Sequence, residues 1–160
     1  MDSKGQSYPV RKRVRLTPDS YAVPGSVVSI VACTARRAPL FGNLDLATAC
    51  VQLLANRATV SRVSIHAYCL MPDHPHLLLS PSELVSVVDF VRDFKSRATR
   101  VAWQCGHVGP VWQSGFYDHI LRKDEELSIA AEYILNNQVR KGVVVDRRKY
   151  PFSGSLEYDL

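Results

Sequence analysis

The chain has 160 residues, of which 46% are hydrophobic and 22% charged, a balance typical of one globular domain rather than a disordered or fibrous chain. The formal net charge is +5, and residues 1–16 supply +4 of it, from five basic side chains and one acidic side chain. Such a basic arm commonly binds a polyanion, although a solvated tail has the same composition.

The compartment follows from the termini and the cysteines. The N-terminus is polar and basic with no apolar stretch behind it, so no signal peptide is expected. The longest nearly apolar run, residues 27–32, is far too short to cross a bilayer. Four widely spaced cysteines without a C-x-x-C pair fit reduced thiols. We therefore expect a soluble cytoplasmic protein.

Turn residues at 17–19 and 23–25 divide the chain into a flexible arm, residues 1–24, and one folded domain, residues 25–160. Within the domain, the Val- and Ile-rich segment 26–34 is predicted as a strand. Residues 44–58 have the apolar spacing of a helix. Two further strands are predicted, one at 62–70 and one that begins at 74 after a Met-Pro-Asp turn.

The second half predicts two more helices and another strand. A helix begins near Ser82, which is its predicted N-cap, and runs to about 101. Residues 111–122 are predicted as a strand, and a last helix over 124–142 begins at the N-cap Asp124. The order of elements predicts an α+β, ferredoxin-like (βαββαβ) fold, an antiparallel four-stranded sheet with helices on one face, plus an added C-terminal helix.

Two histidines, His74 and His76, stand at the head of the third strand. Because strand side chains alternate between faces, both imidazoles point the same way and could hold a divalent metal. Two satisfied strand-end histidines are the plainer alternative. Pro75 between them donates no ladder hydrogen bond, which indicates an edge position for this strand.

Tyr133 and Asn137 are four residues apart on the last helix, hence one turn apart on one face. A tyrosine and an amide so placed could supply a nucleophile and a third metal ligand. A tyrosine that packs at an amphipathic boundary beside a helix-terminal asparagine is the alternative.

Four segments together carry a family resemblance. Residues 72–79 (PDHPHLLL) resemble the His-hydrophobic-His signature of HUH single-tyrosine nucleases. Residues 112–122 (WQSGFYDHILR), 132–139 (EYILNNQV) and 150–155 (YPFSGS) are similar to successive segments of the REP-associated tyrosine transposases. The early segment 25–42 also fits. The resemblance covers residues 25–155 in the right order.

The resemblance implies a ferredoxin-like fold and metal-dependent cleavage and rejoining of single-stranded DNA next to hairpin or palindromic repeats. It implies that Tyr133 forms a 5′-phosphotyrosine intermediate, with Mg²⁺ or Mn²⁺ held by His74, His76 and an amide. The family usually has proline where this chain has Gln138, so either Asn137 or Gln138 could be the amide ligand, and the one-turn spacing favours Asn137. Tyr117 and Tyr150 are lower-ranked nucleophiles.

The expected partner is single-stranded or hairpin DNA of the bacterial nucleoid, with no membrane partner, and the protein could be a homodimer or a monomer. Trp112 could stack on unpaired bases, although core packing is the favoured role. The alternative function is a non-catalytic, ferredoxin-like nucleic-acid-binding protein derived from a transposase. A histidine-triad hydrolase is disfavoured because position 78 is a leucine. The side chains expected to bind DNA phosphates are Arg11, Lys12, Arg13 and Arg15 of the arm, and Arg92, Lys95 and Arg100.

Overall fold

Five antiparallel strands form one sheet in a computed structural model that describes residues 18–122 and 125–159. The strands are β1 (Val28–Val31), β2 (Ser64–Met71), β3 (His74–Ser80), β4 (Tyr117–Ile120) and β5 (Ser153–Gly154). They lie in the order β4-β1-β3-β2-β5. The first four give the predicted ferredoxin-like arrangement, which is therefore confirmed. β5 is an additional strand at the β2 edge that the sequence did not predict.

The helices cover both faces of the sheet. Helices α1 (Leu44–Ser61) and α2 (Val87–Gln104) pack on one face, and α3 (Leu127–Leu135) packs on the other. A short helix, α4 (Asn137–Arg140), follows α3. The added C-terminal helix thus lies across the sheet from the other two, and the sheet is buried between two apolar layers.

The alternation of side chains along β3 separates these two layers. Leu77 and Leu79 belong to the larger core beneath α1 and α2, whereas Leu78 belongs to the smaller core beneath α3. His74 and His76 share the even-numbered parity of Leu78 and therefore lie on the α3 face. The predicted common orientation of the two histidines is confirmed.

Pro75 does not mark an edge strand, because β3 lies in the middle of the sheet between β1 and β2. The prediction of an edge position is therefore wrong. Pro75 is the second residue of β3, and its carbonyl accepts a hydrogen bond from the amide of Ala32, just beyond the end of β1. The missing N–H thus falls where the β1 ladder has already ended, which lets a central strand accommodate the proline.

Several element boundaries also differ from the prediction. Ser82 does not cap α2: its hydroxyl accepts from the amides of Leu84 and Val85 in a preceding turn, and Ser86 is the N-cap. Strands β1 and β4 are shorter than predicted, and beyond them one isolated bridge joins Thr34 to Trp112.

The predicted single helix over 124–142 is interrupted at Asn136, whose φ and ψ of −98° and 6° separate α3 from α4. The predicted cap Asp124 lies outside the described residues, as does the arm up to residue 17. In the described part of the chain, α3 begins after Glu126, which makes no side-chain capping hydrogen bond.

Burial agrees with the predicted chemistry of the cysteines. Cys33, Cys50 and Cys69 are buried free thiols, and Cys105 is exposed. Tyr21, ahead of the predicted domain start at residue 25, is only 2% exposed and packs in the larger core. None of the helices in residues 18–122 and 125–159 is long and apolar enough to cross a membrane.

Candidate active site

The first and third residues of β3, His74 and His76, lie under the C-terminal half of α3. His76 lies opposite Cys69 of β2 and Val31 of β1 in the sheet register. Its ring meets the ring of Tyr133 edge-on, with 6.3 Å between the centroids and 84° between the planes. Both rings belong to the same chain. The fold therefore joins a histidine and a tyrosine that are 57 positions apart in the sequence.

His74 is oriented by a carboxylate. Its Nδ1 lies 2.7 Å from Oδ1 of Asp73, and the other oxygen of Asp73 pairs with Nε of Arg37 at 3.0 Å. Burial lowers the pKa of His74, and the charges of Arg37 and Lys141 act in the same direction against the opposing effect of Asp73. With Nδ1 bound to Asp73, the Nε2 atom of a neutral imidazole is left to bind a ligand.

His76 is kept neutral more strongly. Burial lowers its pKa to about 4, and the neighbouring His74 and Arg140 add to this effect. Its Nε2 lies 3.3 Å from the hydroxyl of Ser29 on β1. At neutral pH, both histidines therefore have unprotonated nitrogens, the form that binds metal ions.

Tyr133 is 54% exposed although it lies on a helix that packs against the sheet. The guanidinium of Arg140 stacks over its ring, with Cζ 3.6 Å from the centroid, and Nη1 donates to the Tyr133 carbonyl. Because α4 follows the break at Asn136, Arg140 can reach back across the end of α3. The phenol is thus held by two neighbours but remains open to solvent.

The two candidate amides have different surroundings. Both ends of the Gln138 amide are occupied: Oε1 accepts from the thiol of Cys69 at 3.2 Å, and Nε2 donates to the hydroxyl of Ser153 at 3.2 Å. Asn137 accepts one hydrogen bond, from Nη2 of Arg140 at 3.0 Å. Its Nδ2 is buried and has no hydrogen-bond partner in the described part of the chain.

The surroundings of the two amides bear on which of them could bind a metal ion. The unpaired atom of Asn137 is the donor Nδ2, whereas a metal ion binds the oxygen of an amide, so this atom does not itself mark a ligand. Both ends of the Gln138 amide are used in hydrogen bonds to other side chains. Within residues 18–122 and 125–159, no group of three or more His, Cys, Asp or Glu side chains could hold a metal ion. A three-ligand site here would therefore need an amide oxygen, and the four-residue spacing from Tyr133 favours Asn137, whose Oδ1 accepts one hydrogen bond, from Arg140.

An open cleft of about 570 Å³ runs along α3 beside Tyr133 and His76. Ser29 and His119 also line it, and Nε2 of His119 lies 2.9 Å from a carboxylate oxygen of Glu125. The exposed phenol thus borders a space large enough for part of a nucleotide chain.

The two rival tyrosines make different contacts. Tyr150 donates its hydroxyl to the carbonyl of Leu70, and burial raises its pKa to about 12. Tyr117 lies on the edge strand β4, opposite Val31. Tyr133 is the one of the three whose ring contacts a predicted histidine ligand.

The predicted phosphate-binding residues of α2 are not at this site. Arg92 and Arg100 are exposed on the helix that packs on the opposite face of the sheet. Lys95 has a structural role: its Nζ donates to the carbonyls of Gln113 and Gly115, at 3.1 and 2.8 Å. The four predicted DNA-binding residues of the arm lie outside the described residues: Arg11, Lys12, Arg13 and Arg15.

Sequence reasoning did not find four residues that complete the site, namely Asp73, Arg37, Ser29 and Arg140. Asp73 could have been suspected because it directly precedes a candidate ligand. Arg37 and Ser29 come from distant segments, and only the strand register brings Ser29 next to His76. Arg140 is seven residues after Tyr133, and the break at Asn136 between them, which the sequence did not indicate, is what lets it reach back to the Tyr133 ring.

Trp112 packs between Phe41, Phe94 and Lys95 at the edge of the larger core, which supports the favoured packing role. Three further histidines had no predicted role. His66 contacts Ser80 and stacks on Tyr158, and His107 contacts the carbonyl of Pro110. His119 alone of the three borders the cleft.

Comparison with solved structures shows a shared fold. The structure of a REP-associated tyrosine transposase bound to a REP hairpin aligns with a TM-score of 0.69 at 21% identity, and covers 89% of this chain and 82% of that one. A crystal structure described as that of a candidate transposase from Deinococcus radiodurans aligns with a TM-score of 0.51 at 20% identity, and covers 80% and 98% of the two chains.

Two proteins of Haemophilus influenzae are similar in sequence. One, provisionally named a REP-associated tyrosine transposase, is 29% identical over 54% of this chain, but the alignment spans only 56% of that relative. The other, an uncharacterized protein, is 24% identical over 81% of this chain and 88% of its own length. The family model of the IS200-like transposases matches residues 22–137, a span that begins before β1 and ends at Asn137. Since this match covers nearly three quarters of the chain and includes both the paired histidines and Tyr133, the chain belongs to the IS200-like transposase family.

Proposed function

We propose that this chain is a metal-dependent endonuclease and strand transferase for single-stranded DNA, which cuts and rejoins DNA next to hairpin or palindromic repeats. One observation carries the proposal: an exposed tyrosine on α3 contacts, within one chain, one of two neutral histidines that lie side by side on β3. That juxtaposition unites a nucleophile with nitrogen ligands at the edge of an open cleft.

In the proposed reaction, the hydroxyl oxygen of Tyr133 attacks a DNA phosphorus atom. A bond forms between this oxygen and phosphorus, and the bond from phosphorus to the 3′ oxygen breaks. The phenolic proton passes to water, and the 3′ oxygen takes up a proton from water as it leaves as a hydroxyl. The 5′ phosphate remains joined to Tyr133 until a second 3′ hydroxyl reverses the step, so rejoining needs no ATP.

His74, His76 and the amide oxygen of Asn137 would hold the ion, which is Mg²⁺ or Mn²⁺. Since this oxygen accepts a hydrogen bond from Nη2 of Arg140, it would bind the ion through its second lone pair. When bound, a divalent cation there polarises the scissile phosphate and offsets the charge that develops on its oxygens. Asp73 fixes the ring of His74 through Nδ1, and Ser29 restrains the ring of His76. These residues keep the two nitrogen donors oriented before substrate arrives.

The DNA partner is inferred from the structural neighbour that was solved with a REP hairpin. The cleft beside Tyr133 gives an unpaired strand access to the phenol, whereas a rigid duplex would have to fit its full width into that space. The proposal places the protein in the bacterial cytoplasm, on nucleoid DNA. Since Tyr133 meets a histidine of its own chain, a monomer contains a complete set of the proposed groups.

The decisive experiment is the trapping of a covalent adduct. Wild-type protein with Mn²⁺ and a 3′-labelled hairpin oligonucleotide with single-stranded flanks should give a labelled band that survives denaturation. Tyr133→Phe should abolish this band, and the matched control Tyr117→Phe should retain it. An adduct that persists in Tyr133→Phe contradicts the assignment of the nucleophile.

The same experiment separates the alternative function. Tight binding of the hairpin by wild-type protein without any adduct, at every metal concentration, would favour the non-catalytic nucleic-acid-binding protein. Normal cleavage by His76→Ala in Mn²⁺ would remove the proposed metal site but leave Tyr133 in place.

A further inference from the structure

We propose that Arg140 is a catalytic residue that binds the scissile phosphate beside Tyr133. This inference rests on the proposed function, because it concerns the phosphate that Tyr133 attacks. It assigns a role to a side chain that the sequence patterns did not single out.

Arg140 lies directly against the proposed nucleophile. Its guanidinium stacks on the Tyr133 ring at 3.6 Å and is tied to the site by Nη1 to the Tyr133 carbonyl and by Nη2 to Oδ1 of Asn137. One exposed side chain therefore touches both the proposed nucleophile and the proposed amide ligand. A phosphate group presented to the phenol oxygen must come close to the guanidinium that covers the ring.

Arg140 also has donors left for a substrate. A guanidinium carries five N–H groups in a planar fork. The two hydrogen bonds of Arg140 use two of them, so three remain for acceptors on a substrate. Phosphate oxygens suit this geometry, since Arg binds phosphate through parallel hydrogen bonds.

Arg140 also brings positive charge to the site. Within residues 18–122 and 125–159, Arg140 forms no salt bridge, whereas Arg37 and Arg147 are each paired with a carboxylate. The guanidinium of Arg140 is a fixed, unpaired positive charge at the nucleophile, and its influence reaches His76 and Cys69.

Arg140 would act as the phosphate gains charge. As the bond from Tyr133 forms and the bond to the 3′ oxygen breaks, the nonbridging oxygens become more negative, and hydrogen bonds from the guanidinium strengthen. The stacking contact would at the same time restrain the ring of Tyr133. The first effect requires a charged oxygen on the substrate, whereas the second does not.

That difference provides the test. Single-turnover cleavage is measured for wild type, Arg140→Gln and Arg140→Lys, on an oligonucleotide with a normal scissile phosphate and on one with a neutral methylphosphonate at that position. Arg148→Gln is the matched control, because Arg148 is exposed and bound to Asp146 away from Tyr133. Thermal unfolding of each variant checks that the fold is retained.

We expect Arg140→Gln to slow cleavage of the normal substrate by roughly 100-fold, a size typical of the loss of one preorganised donor to a developing oxyanion. On the methylphosphonate, the same variant should lose less than about 5-fold relative to wild type. Arg140→Lys should recover part of the rate because it keeps the charge. An equal loss on both substrates, or an equal loss in Arg148→Gln, overturns the proposal.

A second measurement applies even if wild-type protein does not cut DNA, which is the outcome that defeats the proposed function. In a Tyr133→Phe background, the affinity for the hairpin oligonucleotide is measured against salt concentration. Loss of one phosphate contact in Arg140→Gln should lower the slope of log affinity against log salt by about 0.7. An unchanged slope shows that Arg140 does not bind phosphate, whatever the fate of the nuclease assignment.

Discussion

Protonation of His76 should make the metal-free protein less stable in mild acid. The pKa of His76 is about 4 in the folded chain, against 6.5 for an unperturbed histidine, mainly because the ring is buried. The unfolded chain therefore binds a proton more readily than the folded chain. The stabilising contribution of the neutral ring is complete above pH 6.5 and decreases as the pH falls from 6.5 towards 4.

The magnitude follows from these two pKa values. Between pH 7 and pH 5, the linkage relation gives a loss of about 2 kcal/mol from His76 alone. For a chain of this size, such a loss corresponds to a fall of roughly 4–8 °C in Tm. His74 and His66, whose pKa values are also lowered by burial, act in the same direction.

Urea unfolding of wild type and His76→Gln, in EDTA and at constant salt, isolates the contribution of His76. The remaining titrating groups are common to both proteins, so the difference between their pH profiles measures this one residue. Wild type should lose about 2 kcal/mol more than the variant between pH 7 and pH 5. Parallel profiles would refute the claim that the fold holds His76 in a buried, neutral state.

Two further predictions concern Asp73 and Lys95. Asp73→Asn should weaken Mn²⁺ binding by roughly 10- to 100-fold in calorimetry, because it removes the carboxylate that orients His74, while Asp93→Asn on the opposite layer should leave the affinity unchanged. Equal affinities in the two variants would contradict this role for Asp73. Lys95→Met should lower the free energy of unfolding by about 2 kcal/mol, since two backbone carbonyls lose a charged donor, and should not alter the salt dependence of DNA binding. Unchanged stability with a reduced salt slope would instead show that Lys95 binds phosphate.

The parts of the fold that could be predicted are those with strong local patterns. β3 begins at His74 as predicted, because a Met-Pro-Asp turn precedes a run in which every second residue must be apolar. The same alternation placed His74 and His76 on one face. The family resemblance then connected the histidines to Tyr133, a link that no local pattern contains.

The parts that could not be predicted depend on contacts between distant segments. The apolar and helix-forming residues of 124–142 carry no proline or glycine before Gly142, so nothing local indicates the break at Asn136. Lys95 has the helical spacing of an exposed basic side chain. The two carbonyl groups to which it donates lie some twenty residues later in the sequence. Pro75 does lack the N–H that a β-ladder needs, as the prediction assumed. Whether this marks an edge strand depends on where β1 ends, which the local sequence does not show.

The irregularity in β2 changes what lengths of chain this sheet can tolerate. The register between β2 and β3 shifts between Ile65 and Ala67, so His66 is an extra residue in the ladder. It lets Ile65 pack under α1 and α2 while Ala67 and Cys69 pack under α3. Deletion of His66 would therefore preserve the phase of both faces. A single-residue insertion after Pro75 would instead turn every later side chain of β3 to the opposite face of the sheet. His76 would then no longer face α3, and the leucines of β3 would exchange cores.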